Sequence, residues 1–174
     1  HYLYEIGLDR CQLLGNITSE MATVEMHHNF LNIFDITLMI TENYLNTTGY
    51  VCTFDVVQSL KEEHRNNNIP IVMLSKTAHQ LFHNSDGNIV VPARMCFGYW
   101  LYLLNKYKYG ITIDIANKVM RFLQTSAEFE QNYIEEDDSS TKLLALRDQI
   151  QDWSYYNEYG DSYNKMIGGV IYDL

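Results

Sequence analysis

The sequence has no run of about 18 apolar residues, the length that a membrane-spanning helix needs, so no segment is expected to cross a membrane. Cysteine is scarce as well. Cys11, Cys52 and Cys96 are odd in number and far apart, which favours reduced thiols in the cytoplasm over a disulfide-stabilised secreted protein. The chain begins with His1 rather than methionine, which is compatible with a preceding segment, a signal peptide included.

Positive charge is the other shortage, and it is unevenly distributed. The chain has 12 Lys and Arg against 22 Asp and Glu, a formal net charge of −10. Residues 1–125 hold nine basic and eleven acidic side chains, whereas residues 126–174 hold three and eleven. Proteins that bind nucleic acids usually present a basic surface to the phosphates, so this balance counts against DNA as a ligand. Most of the acidic excess, however, belongs to the C-terminal part.

The same change in composition predicts the domain organisation. Residues 1–125 are long enough to form one domain with a buried core. Residues 126–174 contain an acidic linker and continue into a tyrosine-rich tail. Three interpretations of this tail are open. It is a docking segment for a partner protein with a basic surface, a segment that folds back over the chain's own site as a DNA mimic, or a solvated, poorly ordered extension.

The spacing of apolar residues predicts an α+β fold. Strand-like patterns cover residues 17–26 and 69–74, and helix-like patterns cover residues 30–45, 53–65, 93–107, 112–123 and 142–153. In the helix over 53–65, Val56, Val57 and Leu60 are expected to share one face, and Lys61, Glu62, Glu63 and Arg65 are expected to face water. The triplet Asn66-Asn67-Asn68 is expected to end that helix, because asparagine tolerates a left-handed backbone conformation.

Four of the six histidines lie in two short blocks. His27 and His28 follow the first predicted strand, and His79 and His83 are four residues apart on a predicted helix. Residues four apart share a helix face, so both of the latter imidazoles can point at one ion. Adjacent strand residues point to opposite faces, so only one of the tandem histidines is expected to be a ligand. Three imidazoles with an open coordination position are typical of a catalytic metal.

This arrangement resembles the HNH, or ββα-metal, endonuclease family, including its phage-encoded members and the nuclease domains of colicins. In that family a tandem His-His on the first strand is followed by an asparagine and then by a helix with His-x-x-x-His. The resemblance implies an α+β fold with an HNH-like ββα-metal core embedded in several helices. It implies that His27, His79 and His83 are the metal ligands. It also implies that His28 is the general base and that Asn68 orients it.

The sequence departs from the family pattern at two places. Asn68 lies farther from His79 than the pattern requires, and Pro70 occupies the usual position. Ser75 and Ala78 stand where many members have a second Cys-x-x-Cys pair, so no structural zinc is expected.

The implied activity is metal-dependent hydrolysis of phosphodiester bonds in DNA. One divalent ion would stabilise the departing oxygen while His28 deprotonates the attacking water. The ion would be Zn, Ni, Mn or Mg, of which Mg suits imidazole ligands least. The candidate contacts to the DNA backbone are Arg94, Lys106, Lys108, Lys118 and Arg121. For Lys106 and Lys108 an alternative is that they complement the dipole at a helix C-terminus.

A second interpretation belongs to a different functional class. The chain would be a catalytically inactive viral or phage protein that keeps this fold as a scaffold, or that acts in transcription or replication. The acidic balance, the displaced Asn68 and the missing cysteine pairs favour this alternative. Residues 126–174 would then dock on a partner such as a polymerase, a clamp or a capsid component. Under either interpretation a phage-encoded chain is expected in the cytoplasm of the host cell.

Overall fold

The computed structural model describes residues 8–14, 17–84 and 91–132. These residues form an α+β structure with one two-stranded antiparallel sheet, five α-helices and two short 3-10 helices. The elements are, in chain order, β1 (Val24–His28), α1 (Ile33–Thr48), α2 (Thr53–Arg65), β2 (Ile71–Ser75), α3 (Lys76–Asn84), α4 (Trp100–Lys106) and α5 (Ile113–Asn132). The 3-10 helices are Ala93–Met95 and Lys108–Gly110. None of the described helices is both long and apolar enough to cross a membrane.

The chain divides into two compact units, each built from segments that are distant in sequence. Unit 1 contains the described residues up to 29 together with 71–84, 91–97 and 122–132, and it therefore holds both strands and α3. Unit 2 contains residues 30–70 and 98–121, and it therefore holds α1, α2, α4 and the first part of α5. The histidines of both sequence blocks belong to unit 1.

The sheet of unit 1 brings the two histidine blocks together. β1 and β2 pair antiparallel, with His27 opposite Val72. All five residues of β2 are buried, and its apolar side chains join a core cluster that includes Cys11, Val72, Leu74, Ala78, Val91 and Met95. Ser75 ends β2, and its hydroxyl accepts a hydrogen bond from the Ala78 N–H at 3.4 Å. Helix α3 thus follows the strand without an intervening loop.

Local sequence signals set both ends of α1 and the end of α2 in unit 2. Asn32 caps α1, because its side-chain oxygen accepts from the N–H groups of Phe34 and Asp35 while the Asp35 carboxylate accepts from the Asn32 N–H. Gly49 ends α1 with a φ of 78°. The asparagine triplet ends α2 as predicted, with Asn67 in the left-handed region at a φ of 56°.

The predicted aromatic helix over residues 93–107 is interrupted in the structure. Phe97 forms an antiparallel bridge with Ile71 of β2. The backbone nitrogen of Phe97 is 2.8 Å from the oxygen of Ile71, and the nitrogen of Ile71 is 3.0 Å from the oxygen of Phe97. This pairing with the sheet replaces helical hydrogen bonds, so a 3-10 helix precedes the interruption and α4 begins only at Trp100. Periodicity alone does not reveal such a long-range bridge.

The α+β class predicted from the sequence is confirmed, whereas an HNH core is not. The first strand begins later than predicted and extends through His28, so both tandem histidines lie within it. Helix α5 runs from Ile113 to Asn132, across the boundary predicted at residue 125, and that boundary stays a prediction. The helix expected over 142–153 and most of the acidic tail lie outside the described residues.

Candidate functional site

Three imidazoles from β1 and α3 meet in unit 1. The potential ligand atoms of His27, His79 and His83 all lie within 4.8 Å of one another. Nε2 of His79 is 3.0 Å from Nε2 of His83. The ring of His27 stands edge-on to the other two, at centroid distances of 4.9 and 5.0 Å. The structure therefore brings together the three histidines that the sequence nominates as ligands, and metal binding itself stays a prediction.

The local structure explains this convergence. His79 and His83 are one helical turn apart on α3, so they share the face that meets β1. On β1 the side chains alternate, and His27 is buried while Met26 is exposed. Phe82 packs against the His27 ring at a centroid distance of 4.6 Å. The cluster consequently runs from the buried His27 to the exposed His83.

Glu25 is a member of the site that the histidine pattern does not identify. Its Oε2 lies 2.6 Å from Nδ1 of His79. When His79 donates this hydrogen bond as a neutral imidazole, its Nε2 carries the lone pair, and the 3.0 Å contact then requires His83 to donate its Nε2–H. The signal available in the sequence is the position of Glu25, two residues before His27 and hence on the same face of β1.

The environment of His27 keeps its ring neutral. Burial, followed by the positive charges that His79, His83 and His28 can carry, lowers the pKa of His27 from its ordinary 6.5 to about 4. At pH 7 the ring is therefore unprotonated and has one nitrogen with a free lone pair. A neutral imidazole is the form that binds metal ions.

The two residues implied as catalytic fall in different units. His28 is half-buried at the end of β1 in unit 1. Asn68 belongs to unit 2, where its side-chain amide donates to Oε2 of Glu63 at 2.6 Å. The amide of Asn68 thus donates a hydrogen bond to a buried carboxylate.

That carboxylate corrects a prediction made from the sequence. Glu63 is expected to face water but is fully buried. Its Oε1 accepts hydrogen bonds from the Lys106 ammonium at 2.5 Å and the Tyr107 hydroxyl at 2.8 Å. With the amide of Asn68, three donors satisfy the charge and make burial tolerable. The sequence did contain a signal for the burial of Glu63. Glu63 lies seven residues after the buried Val56 and therefore on the same face of α2.

The five basic candidates for DNA contact are spread over several elements. Arg94 lies in the 3-10 helix Ala93–Met95, Lys106 in α4, Lys108 in the 3-10 helix Lys108–Gly110, and Lys118 and Arg121 in α5. Lys106 binds Glu63, and the Lys118 ammonium is 2.6 Å from Oδ1 of Asp35. The Lys108 ammonium lies 5.0 Å from the centre of a tyrosine ring. Lys106 and Lys118 thus have carboxylate partners within the protein, and DNA binding stays a prediction.

Comparison with known proteins overturns the nuclease interpretation. A family model described as Bacteriophage G278-like virion protein matches residues 2–153. No curated protein and no solved structure matches the chain. The resemblance to HNH endonucleases is therefore wrong, and so is the DNA-hydrolysing function with His28 as general base.

The cause of this error is physical. When a histidine-bearing helix packs beside a strand, helical periodicity and strand alternation can place several imidazoles close together. This geometry arises whatever the function of the fold. The orienting role of Asn68 was implied by the same resemblance and falls with it. The family model, in contrast, covers most of the chain rather than two short blocks, and the chain accordingly belongs to the G278-like family of bacteriophage virion proteins.

Proposed function

We propose that the protein is a non-catalytic component of a bacteriophage particle. It is made in the host cytoplasm and acts by binding other proteins of that particle. The observation that carries this proposal is the match of residues 2–153 to a virion protein family. The proposal corresponds to the phage scaffold that the sequence leaves open as an alternative, but without an HNH fold.

Exposed apolar side chains on the helices of unit 2 support a role in protein contacts. On α1, Phe34 is 80% exposed, Leu38 43% and Leu45 45%. These positions are separated by four and seven residues, so they fall on one face of the helix. Phe54 at the start of α2 is 74% exposed. Burying such groups against a partner gains about 25 cal/mol for each Å² removed from water.

Mass spectrometry of purified particles tests the proposal. Phage banded on a density gradient and washed in high salt should retain the protein at a constant copy number relative to the other structural proteins. The purified chain should not nick plasmid DNA in the presence of Mn²⁺ or Mg²⁺. A protein abundant in the infected lysate but missing from washed particles would contradict the proposal, and so would metal-dependent nicking.

A further inference from the structure

We propose that His27, His79 and His83 bind one late first-row divalent ion such as Zn²⁺, and that this ion fastens β1 to α3. The ion has a structural role in unit 1 and requires neither a general base nor a nucleic acid. The proposal does not depend on the virion function, because it concerns the isolated chain in solution.

The geometry of the cluster is close to that of a coordination shell. Two imidazole nitrogens at about 2.0–2.1 Å from a tetrahedral ion are about 3.3 Å apart. The Nε2 atoms of His79 and His83 are 3.0 Å apart. All three histidines offer a ligand atom within 4.8 Å of the others. Binding would draw the farthest pair of rings slightly closer and leave the backbone of β1 and α3 in place.

The donor set selects the class of ion. Three neutral imidazoles suit zinc, nickel and copper, whereas magnesium and calcium prefer oxygen ligands. His27 is buried, and its ring centroid lies 4.9 and 5.0 Å from the centroids of His79 and His83. His83 is exposed, so water can complete a tetrahedral shell on that side.

Glu25 acts as a positioning residue. A histidine bound to a metal almost always donates its second ring N–H to a carboxylate, a carbonyl or water, which fixes the tautomer and raises the basicity of the ligand nitrogen. The 2.6 Å contact between Glu25 Oε2 and His79 Nδ1 provides such a partner. It leaves the lone pair of His79 on Nε2, the nitrogen that lies beside His83.

The hydrogen bond between His79 and His83 marks the place that the ion would take. Without an ion, one of the two Nε2 atoms must carry the proton that the other accepts. Since Glu25 assigns the lone pair to His79, that proton sits on Nε2 of His83. Binding requires the lone pair of His83 on Nε2 to face the ion, so the proton moves from Nε2 to Nδ1 of the same neutral ring.

The test uses tag-free, full-length protein stripped with a chelator and dialysed. Zinc titration by calorimetry and metal analysis after gel filtration should give one ion per chain. His79→Gln and His83→Gln should abolish this binding, and Glu25→Gln should weaken it by about 10- to 100-fold. His28→Gln is the matched control, because it removes the neighbouring imidazole of the same strand, and it should bind zinc as the wild type does.

Thermal unfolding supplies a second measurement. Zinc should raise the melting temperature of the wild type and of His28→Gln, since an ion that binds only the folded state stabilises it, and it should leave His83→Gln unchanged. Because His83 is exposed, that variant is expected to fold, which circular dichroism checks. Absence of zinc binding by the wild type, or equal binding by His83→Gln, would overturn the proposal and reduce the cluster to ring packing and one hydrogen bond. Neither result would bear on the assignment of the chain to the virion protein family.

Discussion

Glu63 illustrates, at the scale of the residue, how neighbours distant in sequence determine whether a side chain is buried or exposed. A carboxylate on a helix flanked by charged residues is expected to be solvated, yet Glu63 has no exposed surface. Asn68, Lys106 and Tyr107 donate to it. A pattern that assigns faces by residue type could not place Lys106 beside Glu63, because the two are 43 residues apart.

Removing the cation should be costly. We expect Lys106→Met to lower the free energy of unfolding by about 3 kcal/mol, because it leaves the buried charge of Glu63 without its ionic partner. Urea unfolding followed by circular dichroism measures the change. Lys108→Met is the matched control, since that lysine has no described carboxylate partner, and it should change stability by less than about 0.5 kcal/mol. Equal effects of the two variants would show that the ion pair contributes nothing specific.

The same contacts predict a loss of stability at alkaline pH. Burial opposes the charged form of Lys106, but the hydrogen bond to Glu63 together with neighbouring charges raises its pKa above 10.5. Burial and the hydrogen bond to Glu63 raise the pKa of Tyr107 above 10.0. Both pKa values are higher in the folded than in the unfolded state, so the folded state holds more protons above about pH 10. The stabilisation is complete below that pH and is lost as the pH rises.

Urea unfolding at a series of pH values from about 8 to 11 measures this decline. Tyr107→Phe should show a shallower decline than the wild type, because one of the two linked protons is removed. Parallel curves for the two proteins would contradict the assignment of the effect to Tyr107.

At the scale of the element, sequence patterns located most helices and strands but not their interruptions. The helix over 53–65 has the predicted bounds, and its asparagine stop is a local signal, although Cys52 precedes it without a side-chain capping hydrogen bond. The break before α4 comes from pairing between Phe97 and Ile71, which no local signal encodes. Strand alternation and the four-residue helical spacing are local rules, so they predicted the faces of His27 and of α3, whereas the meeting of those faces was implied by the family resemblance. The partnership of Glu25 with His79 required the register of β1 against α3.

Gly110 sets the contact between the 3-10 helix Lys108–Gly110 and α1. A Cβ at this position would overlap the carbonyl oxygen of Met39, which is backbone and cannot rotate away. Gly110→Ala is therefore expected to destabilise the protein by about 1–3 kcal/mol through overpacking. Gly49→Ala in the same unit meets no atom within 4 Å, and its cost comes only from the left-handed backbone at a φ of 78°. Unfolding experiments on both variants separate crowding from backbone strain, and a loss no larger for Gly110→Ala would argue against the close contact.

The exposed apolar side chains of α1 and α2 predict a defect in assembly rather than in folding. Phe34→Ser combined with Phe54→Ser should leave the melting temperature within a few degrees of wild type, since both rings are mostly in water. Incorporation into washed particles should fall sharply when the variant replaces the wild-type copy. Leu81→Ser is the matched control, because Leu81 is 57% exposed on α3 of unit 1. If all variants enter particles equally, the apolar side chains of unit 2 are not the contact.

At the scale of the whole molecule, the distribution of charge predicted a domain boundary at residue 125, whereas helix α5 continues through that position. Ser126 is buried, and its hydroxyl accepts from the Ala93 N–H at 3.0 Å. A chain ending at 125 should therefore be less stable than one ending at 132, by about 1 kcal/mol for the hydrogen bond lost from the half-buried N–H of Ala93. Denaturant unfolding of the two truncations measures the difference, and Ser126→Ala in the full chain isolates the contribution of the hydroxyl. Equal stabilities would support the boundary predicted from composition.

The division of the chain into two units has a practical consequence for genetics. The polypeptide passes from one unit to the other near residues 29, 70, 97 and 121. Nested deletions, the usual way to locate a binding region, would remove part of both units at almost any cut. Mapping the surface that joins the particle therefore calls for single substitutions in an otherwise intact gene.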